Sequence, residues 1–251
     1  MNFFNAKLCL PGWIALLLAT IAPAQPGEKD SRLHADGPRG WGVQLAKVED
    51  PGLPHVLLIG DSILSGYLAA VTRELDGKAN VDAWGNPDHQ ASVGLHQKLR
   101  DILAGQKYEV IHFNMGLHGW PKGRIPDGQF IPLTRKLVGT LRTGAPNARL
   151  IWASSTPVTI KGQPSALDPA INPIIVNHNE MAAQVMGAAK VPVNDLYGLM
   201  ANKLDLARGD QFHWKPEGSR MQGRAVAAGI TGQLKEPASR PASQVPRGRK
   251  S

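Results

Sequence analysis

The chain has 251 residues, which is enough for a single domain with a sizeable hydrophobic core. Its formal net charge is +8, but Lys7 lies in the first segment and residues 235–251 carry a net charge of +4, which leaves +3 for the part between them. This modest charge, without a stripe of cations interleaved with aromatic side chains, argues against nucleic acid as a partner.

Residues 1–24 have the composition of a secretory signal peptide. One cation, Lys7, precedes an apolar run at 13–19, and Ala22-Pro23-Ala24 supplies a small-residue cleavage site. The alternative is an uncleaved membrane anchor, but the Pro-Gly pair at 11–12 leaves the apolar run short for a bilayer. We therefore expect a secreted or periplasmic protein with no stable membrane insertion after signal cleavage.

Two further segments flank the predicted domain, which spans residues 54–234. Residues 25–53 begin as a polar leader and continue with Trp41-Gly42-Val43-Gln44, which predicts an extended N-terminal arm. Residues 235–251 are rich in Pro, Ser and Arg and have little to bury, which predicts a disordered basic tail, either solvated or touching an anionic polymer or lipid headgroups. The only cysteine, Cys9, would leave with the signal, which excludes disulfides and cysteine chemistry from the mature chain.

Short apolar runs alternate with helical patterns from residue 54 onward. This alternation favours a parallel sheet covered by helices on both faces. We therefore predict an α/β fold, a three-layer α/β/α sandwich around a doubly wound, parallel, five-stranded sheet of the flavodoxin-like kind. The predicted strands are 56–59, 80–84, 110–114, 149–154 and 191–194, and the predicted helices are 64–75, 93–103, 133–142, 172–186 and 217–230.

Two predicted loops, 116–132 and 155–169, are longer than usual connections in compact domains, and both follow strands. The first contains Trp120, Lys122 and Arg124, a mixture of flat apolar surface and cationic donors that suits a polar ligand with faces to stack on. The alternative is that the aromatic side chain only pins the loop to the domain.

Three short motifs could together supply a serine acyl-transfer site. Gly60-Asp61-Ser62 follows a buried strand, Asn114-Met115-Gly116-Leu117-His118 follows the third strand, and Asp210-Gln211-Phe212-His213 lies near the end of the domain. A serine hydroxyl is a weak nucleophile unless a base, itself held in orientation, takes its proton. Each residue also has a simpler explanation, since Ser62 and Asp61 could cap a helix and Asp210 with His213 could be a surface pair.

These motifs, in this order within a β/α alternation, resemble those of the SGNH (GDSL-like) hydrolases, from about residue 54 to 230. That family folds as a three-layer α/β/α sandwich, and its members are esterases, lipases, thioesterases and carbohydrate acetylesterases. The resemblance implies that Ser62 is the nucleophile, His213 the general base and Asp210 the orienting carboxylate. Asp61, Trp120 and Arg124 are then candidate substrate-binding residues.

The sequence departs from the family pattern on the oxyanion side. No glycine after the second strand matches unambiguously, and Gly85, directly after it, is preferred over Gly94. The usual Gly-x-Asn-Asp becomes Gly116-Leu117-His118-Gly119, so either His118 or Asn114 would donate to the oxyanion, together with the N–H of Ser62. Gly-Leu-His variants of this motif occur in members that resemble esterases acting on carbohydrates.

The resulting hypothesis is a secreted serine esterase that removes acyl groups, acetyl above all, from a polysaccharide ester or a small-molecule ester. It would need no cofactor and no metal. The first alternative is a lipase or thioesterase for longer acyl chains, and the second is a non-catalytic carbohydrate-binding protein. Metal-dependent hydrolysis finds little support because the eight histidines are scattered. The oligomeric state is left open.

Overall fold

A computed structural model of the protein describes residues 41–235. The predicted signal peptide, the first part of the predicted arm and residues 236–251 of the predicted tail lie outside the described residues. No helix between residues 41 and 235 is long and apolar enough to cross a bilayer.

The described residues form an α/β fold whose central sheet is mostly parallel. The sheet has six strands in the order β1-β3-β2-β4-β5-β8, and a separate hairpin pairs β6 with β7. The strands are β1 Gly42–Gln44, β2 His55–Gly60, β3 Asn80–Gly85, β4 Val110–Phe113, β5 Arg149–Ala153, β6 Thr159–Ile160, β7 Gln163–Leu167 and β8 Val193–Asn194. The helices are α1 Ser62–Glu74, α2 Leu95–Gly105, α3 Phe130–Gly144, α4 Asn172–Ala189, α5 Leu196–Ala201 and α6 Pro216–Lys235.

The predicted flavodoxin-like core is confirmed, with one correction. The five predicted strands are parallel, and their order along the sheet is second, first, third, fourth and fifth. The correction is a sixth strand: Gly42–Gln44, predicted as extended arm, pairs antiparallel with the edge of β3. An edge strand can add here because β3 would otherwise leave one row of backbone groups without partners.

Each face of the sheet is covered by its own helical layer. Side chains alternate along a strand, so Val56 and Leu58 of β2 pack in the core cluster of α1 and α6, whereas Leu57 and Ile59 pack in that of α2, α3 and α4. Strands buried on both faces read as unbroken apolar runs, which explains the sequence of β2.

The turn from β2 into α1 places Ser62 at the carboxyl edge of the sheet. A side chain on Gly60 would put its Cβ 2.9 Å from the Cβ of Leu64, so this close approach of strand and helix requires glycine. Asp61 caps α1, since its Oδ1 accepts a hydrogen bond of 2.8 Å from the backbone N–H of Ile63. Ser62 is therefore the first residue of the helix.

Both predicted long loops contain local structure. A 3₁₀ turn at Leu117–Gly119 follows β4, and α3 begins earlier than predicted, at Phe130. The hairpin of β6 and β7 occupies the segment predicted as the second loop. The two residues of β6 are too few to show a strand pattern, and the polar sequence of β7 has no apolar alternation, so this hairpin was not predicted.

Candidate active site

The fold brings Ser62, His213 and Asp210 together across 151 residues of sequence. His213 Nε2 lies 2.8 Å from Ser62 Oγ, and His213 Nδ1 lies 2.9 Å from Asp210 Oδ2. Each ring nitrogen thus has one partner, which suits a neutral ring whose Nδ1–H donates to the carboxylate and whose Nε2 accepts from the hydroxyl. This is the arrangement of a nucleophile, a base and an orienting group.

The Asp210 carboxylate is held from two sides. Its Oδ1 accepts hydrogen bonds from the backbone N–H groups of His213, at 2.9 Å, and Phe212, at 3.3 Å. Partial burial acts to raise the pKa of Asp210, but these N–H groups and the His213 ring outweigh it, so the pKa lies below its ordinary value. The carboxylate therefore stays ionised wherever the imidazole could act as a base.

The segment that carries His213 is braced by residues that the sequence did not single out. The indole Nε1–H of the buried Trp214 donates to Thr156 Oγ1 at 3.2 Å, and the N–H of Thr159 donates to the carbonyl of Gln211 at 2.9 Å. Gln211 itself has a φ of 87°, a left-handed conformation that a non-glycine residue rarely adopts. The β6–β7 region and the histidine segment thus hold each other in place.

His118 lies close to Asp61, the residue that precedes Ser62. The side chain is buried, and its Nε2 is 4.0 Å from Asp61 Oδ2. The edge of Trp41 meets the imidazole with ring centroids 5.8 Å apart. Arg124 Nη1 donates to the backbone carbonyl of His118 at 2.8 Å, so the guanidinium supports the loop that carries this histidine.

Asn114, the other predicted oxyanion donor, is engaged within the fold. Its Nδ2 donates to the carbonyl of Ala153 at 2.6 Å and to Ser155 Oγ at 3.2 Å, and its Oδ1 accepts from the N–H of Gly116. An amide that has both hydrogens engaged cannot also donate to a ligand without breaking one of these bonds. The structure therefore engages the Asn114 amide in contacts within the fold.

Gly85 ends β3 directly beside the end of β2, where it is in register with Gly60. The next residue, Asn86, fastens this junction: its backbone N–H donates to the carbonyl of Gly60 at 2.9 Å, and its Nδ2 donates to the same oxygen at 3.2 Å. The Asn86 amide is buried and serves the backbone two residues before Ser62.

Trp120 is partly buried and packs against the small cluster of Leu117, Val158 and Ile171. Its ring is tilted against that of Phe212, with centroids 6.4 Å apart. The side chain thus packs its loop against the histidine segment.

Two polar residues from the helices support the neighbouring loop. Asn179 of α4 accepts a hydrogen bond from the N–H of Ser155 and donates to its carbonyl, both at 2.9 Å. Asp195 caps α5 and accepts from Ser154 Oγ at 2.9 Å. Both fix the loop after β5 without contacting Ser62 or His213.

An open cavity of about 300 Å³ adjoins the Ser62–His213 pair. Besides these two residues, its walls contain Ser65, Arg208 and Gln222. A small cavity of about 20 Å³, near the volume one water molecule needs, is lined in part by Gly60, Asp61 and Ile63 around the turn of Ser62. Between residues 41 and 235, no three His, Cys, Asp or Glu side chains are grouped so that they could hold a metal ion.

Neither protein-family models nor curated proteins match the sequence. Solved structures do. A carbohydrate acetylesterase family member from Sinorhizobium meliloti is 18% identical, with a TM-score of 0.58 over 72% of this chain and 99% of that one. A carbohydrate esterase family 3 protein from Talaromyces cellulolyticus is 17% identical, with a TM-score of 0.56 over 73% and 99%. A candidate GDSL-like lipase from Parabacteroides merdae is 15% identical, with a TM-score of 0.57 over 72% and 96%.

At these identities the likeness concerns the fold. The chain has the α/β fold of the SGNH (GDSL-like) hydrolases, as its sequence motifs predicted.

Proposed function

We propose that the protein is a serine ester hydrolase of the SGNH type. The observation that carries this proposal is the 2.8 Å contact between Ser62 Oγ and His213 Nε2, with Asp210 at 2.9 Å behind the ring. Capping alone would not require the hydroxyl of Ser62 to meet an imidazole from the far end of the chain.

The reaction follows from this geometry. His213 Nε2 takes the hydroxyl proton while Ser62 Oγ attacks the ester carbonyl, and the imidazolium then protonates the departing alcohol oxygen. A water molecule, deprotonated by His213 in the same way, then attacks the acyl carbonyl, which releases the acid and returns the proton to Ser62 Oγ. Asp210, whose lowered pKa keeps it ionised, holds the ring tautomer and stabilises the imidazolium.

The negative charge that develops on the carbonyl oxygen needs donors. The backbone N–H of Ser62 is one, because the first N–H groups of a helix have no acceptor within the helix and the helix dipole adds to their effect. We assign the second donor to the His118 side chain, since the Asn114 amide is engaged elsewhere. The backbone at Gly85 is the third candidate, beside the same turn.

Acetyl esters on carbohydrate are the substrates that this site suits best. Six of the nine residues that line the open cavity have polar side chains, one of them a cation, and beside Ile63 and Trp214 there is no run of Leu, Ile and Phe that would line a channel for a long acyl chain. Two of the structures with the same fold come from proteins named as carbohydrate esterases. The predicted signal peptide would place the enzyme outside the cytoplasm, where polysaccharide esters occur.

The first test compares p-nitrophenyl acetate with the palmitate ester, for the wild type and Ser62→Ala. We expect faster turnover of acetate by the wild type and a loss of at least about a thousandfold in Ser62→Ala, as expected when a nucleophile is removed. Ser165→Ala, in the exposed hairpin, is the matched control and should keep full activity. Faster palmitate hydrolysis would favour a lipase or thioesterase, and an active Ser62→Ala would refute the serine mechanism.

A further inference from the structure

A second hollow, of about 570 Å³, continues the cavity beside Ser62 along the surface between α1 and the start of α6. The two share wall residues, among them Arg208 and Ser219, so they form one continuous depression, called here the α1–α6 groove. The walls of this second hollow include Gly66, Ala69, Arg73, Arg208, Pro216 and Arg220.

The groove exists because α1 and α6 approach each other closely through small residues. A Cβ on Gly223 would lie 2.5 Å from the Cβ of Ala70, and one on Gly66 would lie 3.3 Å from Ser219 Oγ. Short side chains along this line leave a floor of backbone and methyl groups, with longer side chains at the rims. Such a floor admits a flat, extended ligand.

The rims are cationic. Of the described residues that line the groove, three are arginines and none is Asp or Glu. Arg73 and Arg220 are exposed, and neither forms an ion pair with any residue between 41 and 235. An arginine offers a planar fork of N–H donors, which fits the paired oxygens of carboxylate and sulfate groups.

The nearby carboxylates, which are Asp210, Glu74, Asp76 and Glu217, do not line the groove. The Asp210 carboxylate is hydrogen-bonded to the His213 ring, and Arg208 Nε lies 3.8 Å from it. The Arg208 side chain is 64% exposed. Glu74, next to Arg73, lies 3.7 Å from Arg224. The positive charge in the groove is therefore not cancelled by acids within it, although Asp76 shares a separate hollow with Arg73 further along α1.

A buried amide adds a polar contact close to Ser62. Gln222 is 1% exposed and lines the cavity, and no described residue accepts a hydrogen bond from its Nε2. A buried amide without a partner costs free energy unless water or a ligand satisfies it.

We propose that the α1–α6 groove binds the anionic sugar residues of an acidic polysaccharide, through their carboxylate or sulfate groups, and so presents an ester on that polymer to Ser62. This inference rests on the proposed esterase function and adds the charge class of the substrate. Arg73 and Arg220 contact anionic sugars away from the scissile ester, while Arg208 lies between them and the catalytic histidine.

The test measures acetate release from two pairs of acetylated polymers, each pair differing only in charge. Polygalacturonate is compared with its methyl-esterified form, and dextran sulfate with dextran, so the pairs separate carboxylate from sulfate recognition. We expect the wild type to have a higher kcat/KM for at least one charged polymer, through a lower KM. This preference should decline at about 0.5 M salt, where the Debye length falls to a few ångströms.

The double variant Arg73→Gln/Arg220→Gln should reduce the charged-to-neutral ratio of kcat/KM by about fivefold to tenfold, because each exposed ion pair contributes modestly. Arg100→Gln/Arg135→Gln removes the same charge from exposed positions on α2 and α3, the opposite helical layer, and should leave the ratio and the basal activity unchanged. Arg73→Gln/Arg220→Gln is called here the groove variant. A charged-to-neutral ratio of kcat/KM that is the same in the groove variant and the wild type, or that falls equally in both double variants, would overturn the inference.

Binding of unacetylated polygalacturonate and dextran sulfate, followed by calorimetry with the same proteins, separates this inference from the esterase function. Weaker binding by the groove variant alone supports the groove even if no ester is hydrolysed. Ester hydrolysis that depends on Ser62, with no binding of either anionic polymer above that of neutral dextran, leaves the esterase in place and refutes the groove.

Discussion

At the scale of single residues, Asp61 connects the nucleophile's turn with the oxyanion side. One carboxylate oxygen caps α1 through Ile63, and the other lies 4.0 Å from His118 Nε2. The acid that starts the helix of Ser62 therefore also faces His118, the proposed oxyanion donor. Capping and orientation of His118 are compatible roles for the same side chain.

This arrangement makes a prediction for position 118. His118→Ala should lower kcat by about a hundredfold or more with little change in KM, since a lost oxyanion donor typically costs about 3 kcal/mol in the transition state. His118→Asn, which returns an amide donor to this position, should recover much of that loss. Steady-state kinetics with p-nitrophenyl acetate gives both values.

The comparison of the two variants separates a donor from a packing residue. Both remove the ring that Trp41 contacts, so a role confined to packing would affect them similarly. A His118→Asn enzyme as impaired as His118→Ala, with thermal unfolding unchanged in both, would contradict the assignment of His118 to the oxyanion hole.

At the scale of elements, β4 carries a fully buried imidazole that the proposed mechanism does not use. His112 is 0% exposed and lies on the face of the sheet that α6 covers, with Val110 of the same strand. Burial lowers the pKa of His112 from 6.5 to about 4, and the neighbouring amide of Asn194 offsets this only in part. The folded protein thus holds this ring neutral.

The buried ring makes the stability of the protein depend on pH. The pKa is lower in the folded state, so between pH 6.5 and about 4 the unfolded chain binds a proton that the folded chain does not. The free energy of unfolding therefore falls as the pH falls through this interval. The full pKa difference of His112 corresponds to a loss of about 3 kcal/mol. His112→Gln, which cannot titrate, should show a smaller loss.

Chemical denaturation of both proteins at pH 7 and pH 4 provides the measurement. The quantity to compare is the change in the free energy of unfolding between the two pH values, because the substitution also shifts stability at every pH. Identical changes in wild type and His112→Gln would show that the histidine does not carry the effect. Asp210, with its lowered pKa, contributes its own loss only at lower pH.

At the scale of the whole molecule, the sequence predicted the parallel core well because that core depends on local patterns. Each buried strand is an apolar run that precedes a helical pattern, and right-handed crossovers then restrict the topology. The edge strand β1 escaped prediction because its residues are exposed and its pairing depends on β3. The backbone N–H of Ala46, just beyond β1, donates to the carboxylate of Asp82 on β3. No local sequence pattern predicts this contact.

The candidate site was likewise predicted only where local motifs determine it. The motifs around Ser62 and His213 identified residues that the fold brings together. Ser62 follows a parallel strand at the carboxyl edge of the sheet, and the segment just before α6 meets it there. The competition between Asn114 and His118 was open in the sequence, since it depends on which loop atoms reach the Asn114 amide. The α1–α6 groove could not be predicted, because it joins two helices that lie about 150 residues apart in the chain and depends on how closely they pack.

The central claim is that Ser62 is a nucleophile activated by His213, and labelling with a fluorophosphonate tests it most directly. The hydroxyl oxygen attacks phosphorus and fluoride leaves, so mass spectrometry of the digested protein locates the adduct. We predict one adduct, on Ser62, and a labelling rate that falls sharply in His213→Ala. A folded wild-type protein without an adduct on Ser62, or with one that forms equally fast in His213→Ala, would contradict the account.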